Sequence, residues 1–304
     1  MEIVLGTYER YLVGYRLLRG RQGDEFKMKQ SFTEEAHHGS IKCVATSDRY
    51  LVSGGTDESI RIFDLTTHQD VGTLMQQEGT ITCLAFVDND FLLSGSEDGT
   101  ICVWDVKNWT CAKTLKGHKK AICSLSVHPT GGLALSISKD KSIRTWDLVK
   151  GRCAFVHNMK EIGNKVQWSP SKKHFVVTFD RRIDVYDINE PEPVHVIPYV
   201  KQIYASNFLN DRILAVGLDD GSLELLNVLK NKVLKAHKVH DNRIKEICVF
   251  SKGILTASSD GVVKLLRGKN LVPQAIAESG CRINCMTIFR ISKDKKTKSL
   301  DETT

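Results

Sequence analysis

His118, Ser136, Ser138 and Asp140 fall within a short stretch, with Trp146 close behind. A histidine between a hydroxyl and a carboxylate is the makeup of a hydrolytic triad: the imidazole takes the hydroxyl proton and the carboxylate orients the ring. His237 and His240 form a His-x-x-His pair, and Cys281 and Cys285 a Cys-x-x-x-Cys pair, either of which could begin a metal site. Residues that recur with a period argue against chemistry in each case. His37, His118 and His240 all stand four positions before an isoleucine (Ile41, Ile122, Ile244), and Cys285 matches Cys83 and Cys43 in its own segment. No carboxylate or thiolate accompanies the histidine pair, and no second cysteine pair completes a zinc site, so no metal is expected. Gly-x-Ser-x-Gly, Walker A and Gly-x-Gly-x-x-Gly patterns are absent. The chain reads as a non-enzyme without cofactor or small-molecule substrate.

The period is set by an aspartate followed six residues later by an apolar or aromatic residue. The pairs are Asp57/Phe63, Asp98/Trp104, Asp140/Trp146, Asp180/Tyr186, Asp220/Leu226 and Asp260/Leu266, spaced by 41, 42, 40, 40 and 40 residues. Between residues 78 and 115 the alternation of apolar and polar residues predicts four strands, at 81–86, 91–96, 100–105 and 110–115, joined by short turns. Four short strands in about 40 residues describe one blade of a β-propeller. The next unit repeats the pattern at 122–127, 134–138, 142–146 and 152–155. Within such a blade the turn aspartate can hold the histidine, the histidine a strand hydroxyl, and the hydroxyl an indole N–H. His37, His118, His240, Ser94, Ser136, Asp57, Asp98, Asp140, Asp180, Asp220, Asp260, Trp104 and Trp146 are therefore assigned to a structural repeat network.

The two ends complement each other. Residues 282–288 match 80–86 position for position and supply a first strand with nothing after it; residues 3–7, 11–17 and 26–32 supply three strands with no first strand before them. Glu9 precedes Tyr15 by six residues, echoing the aspartate spacing. The expected fold is all-β: a seven-bladed propeller over residues 1–290, its last blade built from 1–33 and 282–290. Closing the ring in this way hides both sheet edges. Arg19–Glu25 reads as an exposed loop, Ile188–Pro198 as an irregular connection after blade four, and residues 291–304 as a short, basic, disordered tail.

The 304 residues carry 43 Lys and Arg against 36 Asp and Glu, a net charge of +7 that suits nucleic acid or acidic protein partners without requiring either. Neither a secretory leader pattern nor an 18-residue apolar run occurs, and nine scattered cysteines read as reduced thiols. Nothing points to a membrane. The loop before each first strand and the turn before each third strand should emerge on one rim. Read around it, the basic residues without a repeat counterpart are Lys119, Lys120, Lys139 and Lys141 on blade three, Lys160, Arg181 and Arg182 on blade four, and Arg243 on blade six. Two readings stand: a solvated charged face, or a basic arc over blades three and four that docks an acidic partner, which makes these residues candidate partner-binding ones.

Ser94-Gly95-Ser96-Glu97-Asp98-Gly99-Thr100-Ile101-Cys102-Val103-Trp104-Asp105, with Gly117-His118 opening the next unit, resembles a WD40 repeat. Met1-Glu2-Ile3-Val4 with Gly6-x-Tyr8-Glu9, Gly79-Thr80-Ile81-Thr82-Cys83-Leu84, His128-Pro129, Gln167-Trp168-Ser169-Pro170 and Ala257-Ser258-Ser259-Asp260-Gly261 resemble the p21-activated protein kinase-interacting protein 1 family. That resemblance implies a protein-interaction scaffold. It implies binding of the N-terminal regulatory region of a p21-activated kinase, which blocks activation by small GTPases, and work in large ribosomal subunit biogenesis. It also implies a nuclear and nucleolar location, with a cytoplasmic pool. The alternative is an RNA- or ribonucleoprotein-binding assembly factor without kinase regulation. Family members carry a longer lysine-rich tail; here it holds Lys293, Lys295, Lys296 and Lys298. The Trp-Asp-x-Arg signature of ubiquitin-ligase substrate receptors is absent, since Val106-Lys107 and Leu148-Val149 follow the two Trp-Asp pairs.

Overall fold

A computed structural model describes residues 1–20, 26–67, 69–251, 253–268 and 270–289. The tail expected over residues 291–304 and most of the Arg19–Glu25 loop lie outside the described residues. Every regular element among those described is a strand, and the 28 strands form seven four-stranded antiparallel sheets. Six sheets follow chain order. In the seventh, Ile283–Phe289 pairs with Glu2–Thr7, which pairs with Tyr11–Arg19 and then Phe26–Glu35. The ring is thus a seven-bladed propeller closed by its two ends, as the sequence predicted.

Burial follows from position in the blade. Glu2–Thr7 is buried throughout, because it has a strand on either side and a neighbouring blade on each face. Outer strands such as Arg152–Asn158 alternate between exposed and half-buried residues. Each blade packs its apolar face on the next, so the core is a ring of clusters; one joins Cys43, Val52 and Ile62 of blade one to Leu92 and Trp104 of blade two. Across the closure, Thr46 Oγ1 donates to the Ile288 carbonyl at 2.9 Å and Asn284 Nδ2 to the Ile41 carbonyl at 2.9 Å, tying blade seven to blade one.

Most inner strands bulge after their first residue. Ile41 pairs with Gly55 but Cys43 with Gly54, which leaves Lys42 extra; Thr82, Cys123, Tyr204 and Lys245 are the equivalents, and Asn284 is skipped in blade seven. A bulge turns the strand and re-aims one side chain.

One connection differs from its sequence reading. Ile188–Pro198 is not irregular throughout: His195–Pro198 is the outer strand of blade four, with Ile197 opposite Ile183. Pro198 ends an edge strand, where a missing N–H costs no ladder bond, so proline did not exclude a strand there.

Candidate functional site

The histidine, serine and aspartate of blade three do meet. Trp146 Nε1 donates to Ser136 Oγ at 2.8 Å, Ser136 Oγ lies 2.7 Å from His118 Nε2, and His118 Nδ1 lies 3.0 Å from Asp140 Oδ2. Donor logic fixes the protons. The indole only donates, so the serine oxygen accepts from it and sends its own proton to Nε2. Nε2 is then bare, and Nδ1 carries the proton that faces the carboxylate. A protonated imidazole would make the serine oxygen accept twice and leave its own proton without the Nε2 acceptor, which is in keeping with burial, the leading cause, pulling the His118 pKa down. Ser136 is fully buried and both ring edges are occupied, so this cluster offers no nucleophile to a substrate. It locks the loop before one strand to the turn before another: Asp140 also accepts the Lys119 backbone N–H at 2.9 Å.

The other blades vary this scheme. Blade one keeps His37 between Asp57 (2.9 Å) and Ser53 (2.8 Å), with Phe63 in place of the indole. Blade two has no histidine. Gln77, four residues before Ile81, takes its place: Ser94 Oγ donates to Gln77 Oε1 at 2.5 Å and Trp104 Nε1 donates to Ser94 Oγ at 2.8 Å. Asp98 holds the Glu78 N–H and reaches Gln77 only through Thr100, whose hydroxyl donates to Asp98 Oδ1 at 2.8 Å and accepts from Gln77 Nε2 at 3.1 Å. Sequence reading passed over Gln77, although the four-residue offset that marked the histidines also marks it. In blade six His240 Nε2 meets Thr256 Oγ1 at 2.8 Å, while Asp260 accepts from Asn242 Nδ2 at 3.2 Å instead of holding the ring. Asp180 accepts from Asn164 Nδ2 (2.7 Å) and Asp220 from Lys201 Nζ (2.6 Å). Blade five has lost the network. Tyr199 fills the histidine offset before Ile203, but Val216 and Leu226 replace hydroxyl and indole, and the Tyr199 OH is buried without a partner among the described residues. In blade seven the Glu9 carboxylate receives the Arg282 N–H at 3.0 Å, one residue before Ile283, whereas Asp140 takes the N–H three residues before Ile122.

A family model, "WD domain, G-beta repeat", matches residues 28–64, 68–105 and 109–147. Each match begins near the outer strand of one blade and ends at the third strand of the next, so the sequence repeat is staggered against the structural blade. The Gallus gallus "p21-activated protein kinase-interacting protein 1-like" is 38% identical over 299 residues, covering 95% of this chain and 80% of that protein. The Homo sapiens "p21-activated protein kinase-interacting protein 1" is 36% identical over 302 residues, covering 95% and 77%. The chain belongs to the p21-activated protein kinase-interacting protein 1 family. Saccharomyces cerevisiae "Protein MAK11" is 30% identical over 347 residues, with 96% and 84% covered.

In this member of the p21-activated protein kinase-interacting protein 1 family the basic residues of the rim separate into two kinds. Lys119, Lys120, Lys139, Lys141 and Arg181 are exposed, and of their side chains only Lys139 approaches a carboxylate among the described residues, Glu97 at 3.9 Å. Arg182 corrects the sequence reading. It is half-buried, lies 4.2 Å over the Phe179 ring, pairs with Glu161 at 3.0 Å and sits 2.8 Å from buried Asp184. Its charge is committed within blade four and is not free for a partner. Arg243 lies in blade six, well round the ring from blades three and four, with Nη1 donating to Tyr204 OH at 3.3 Å. The basic arc therefore contracts to blade three with Lys160 and Arg181 of blade four, both exposed. Among the described residues no three His, Cys, Asp or Glu side chains gather as a metal site would require.

The buried histidines of this family member give it a pH-dependent stability. Burial first, then Lys264, pushes His240 down to about 4 from 6.5. The unfolded chain takes up that proton before the folded one does, so the contribution is complete above pH 6.5 and declines as pH falls toward 4. The expected loss is about 3 kcal/mol for this residue. His240→Gln, the side chain blade two uses at this offset, should remove that share of the decline in urea midpoints measured from about pH 7 to about pH 4. Parallel curves for both proteins would show that His240 is not its source.

Proposed function

We propose that the ring binds the N-terminal regulatory region of a p21-activated kinase through the basic rim of blade three and so denies that region to an activating small GTPase. The coarser statement needs no proposal: this is a WD40 interaction scaffold, and the names of its relatives suggest protein partners. The observation that carries the finer one is Lys141. It occupies the turn after Asp140 with φ +64°, in the left-handed region, where the corresponding turns of blades two, five and six hold Gly99, Gly221 and Gly261. A lysine there is strained where glycine would not be, and it places a cation at the rim beside Lys119, Lys120 and Lys139. Glu58 does the same with opposite sign in blade one (φ +62°), so these turns vary in charge rather than in shape. A rigid ring that holds an acidic or phosphorylated segment would act by competition, which needs only differential affinity for the free and GTPase-bound kinase.

Lys141→Gly is expected to stabilise the fold by about 0.5–1 kcal/mol, read as a raised urea midpoint. Lys119→Glu/Lys120→Glu/Lys141→Gly should weaken binding to a kinase regulatory fragment by about tenfold and flatten its salt dependence. Calorimetric titration with and without the activated GTPase checks the mechanism; simultaneous binding at undiminished affinity rules out competition. Exposed lysines without acid partners would also suit phosphate, so ribonucleoprotein binding in large-subunit assembly, with nucleolar residence, is the second reading. Recovery of pre-ribosomal RNA by the wild-type ring but not by the triple variant, with kinase binding absent from both, would select it.

A further inference from the structure

A cavity of about 330 Å³ occupies the central channel, with Lys42, Lys165, Tyr204 and Glu246 in its wall. Inside it Lys165 Nζ lies 2.8 Å from Glu246 Oε1, joining blades four and six across the ring and neutralising both charges. Four other cations at the channel mouth have no such partner. The inner strands of blades six, seven and one pack side by side. Arg243 immediately precedes the first of them, Ile244–Phe250, and Arg282 the second, Ile283–Phe289. Lys245 and Lys42 are the extra residues of the bulges in blades six and one, at the same end of the strands. Among the described residues none of the four side chains lies within ion-pair distance of a carboxylate; of the neighbouring acids, Glu246 is paired with Lys165, Asp260 accepts from Asn242, and Glu9 takes the Arg282 backbone N–H. Asp241 adds one exposed carboxylate to the loop before Arg243. Two tyrosines back the cluster. Arg243 and Lys245 lie 5.2 and 5.6 Å from the Tyr204 ring centroid, and Arg282 lies 5.4 Å from that of Tyr8.

Cations assembled without a direct ion pair oppose one another, and nearby Glu246 offsets only part of this at Lys245. Lys245 and Arg243 are half-buried, whereas Lys42 and Arg282 are exposed to whatever approaches the mouth. Burial, then Arg243, Arg282 and Lys42, hold the Lys245 ammonium below the ordinary lysine range. An incoming anion relieves that repulsion.

We propose that the channel mouth of blades six, seven and one is a second docking site, built to take the carboxylates of an acidic peptide segment from a protein partner. The two guanidinium groups can clamp carboxylates in two-point fashion, and Lys42 and Lys245 supply charge from the channel side. A recess of this size admits side chains and excludes a nucleic-acid duplex, which favours peptide over helical nucleic acid. The site stands on blades six, seven and one and uses none of the blade-three lysines.

The test uses the whole chain and a fluorescein-labelled hexaglutamate peptide read by anisotropy. Arg243→Gln/Arg282→Gln is expected to weaken binding by about tenfold and reduce its salt dependence, while Lys119→Gln/Lys120→Gln retains it. The reverse pattern overturns the assignment. Amine acetylation of the unaltered protein guards against a variant that fails to fold: saturating peptide should protect Lys42 and Lys245 but not Lys119. Unchanged reactivity at Lys42 and Lys245 overturns the proposal. A labelled oligouridylate of equal charge forms the third arm, and tighter binding lost in the same arginine variant would assign the mouth to single-stranded RNA instead.

Discussion

Deletion of residues 282–289 is expected to abolish the cooperative unfolding transition altogether. Those residues form the innermost strand of blade seven, and Ile283, Cys285, Met286 and Phe289 are all buried. Fully burying side chains of this kind stabilises by roughly 1.5–3 kcal/mol each, so their loss alone removes on the order of 8 kcal/mol. That is comparable with the whole stability of a typical domain. Further costs follow. The backbone of Glu2–Thr7 would lose its pairing with Ile283–Phe289 and expose an unpaired edge at the channel, while blades one and six would each lose a neighbour. Thr46 and Asn284 would no longer bond across the junction. A ring lacking one inner strand is an open solenoid with two raw ends, and such ends need capping. Urea titration followed by far-ultraviolet circular dichroism checks this. A sigmoidal transition with an unchanged midpoint in the truncated chain would show that six blades and a fragment suffice.

That closure was legible in the sequence because both of its halves obey the same grammar as the interior units. Arg282-Ile283-Asn284-Cys285 reproduces Thr80-Ile81-Thr82-Cys83, so an orphan strand could be matched to an incomplete blade. The network was only partly legible. Histidine, serine and aspartate at fixed offsets announced blades one and three, but Gln77 can accept from Ser94 only because an amide oxygen reaches the place of an imidazole nitrogen, and the offset alone does not say so. Blade five shows the opposite limit: Tyr199 keeps the offset while Val216 and Leu226 remove its partners. Charge was read least well. Arg182 looks in sequence like its neighbour Arg181, yet Arg181 is exposed while Arg182 pairs with Glu161 and lies over Phe179. Glu161 is 21 residues away in sequence, and no local pattern marks it as a partner. The channel-mouth cations were hidden for a related reason, since Lys42, Lys245 and Arg282 come together only when the ring closes.

Ser136→Ala is expected to cost about twice as much stability as Ser53→Ala, although both remove one fully buried hydroxyl from the same position of a blade. In blade three the hydroxyl serves two groups: it accepts from Trp146 Nε1 at 2.8 Å and meets His118 Nε2 at 2.7 Å. In blade one Ser53 meets, among the described residues, only His37 Nε2, at 2.8 Å, because Phe63 brings no N–H. A buried polar group left without a partner costs about 1–3 kcal/mol. Ser136→Ala orphans two such groups and should cost about 3–4 kcal/mol, and Ser53→Ala one, about 2 kcal/mol. The volumes removed are equal, so the cavity contribution cancels in the comparison. Chemical denaturation at about pH 7, where burial keeps both histidines neutral in the folded state, gives the two numbers. Adding Trp146→Phe to Ser136→Ala tests the cause, because it deletes the orphaned indole N–H and gives blade three the ring of blade one. The cycle should then recover stability at the hydroxyl, bringing the cost of losing Ser136 down toward that of Ser53. If Ser136→Ala costs the same with Trp146 intact as it does in the Trp146→Phe background, the indole bond contributes nothing, and Ser136 serves His118 alone.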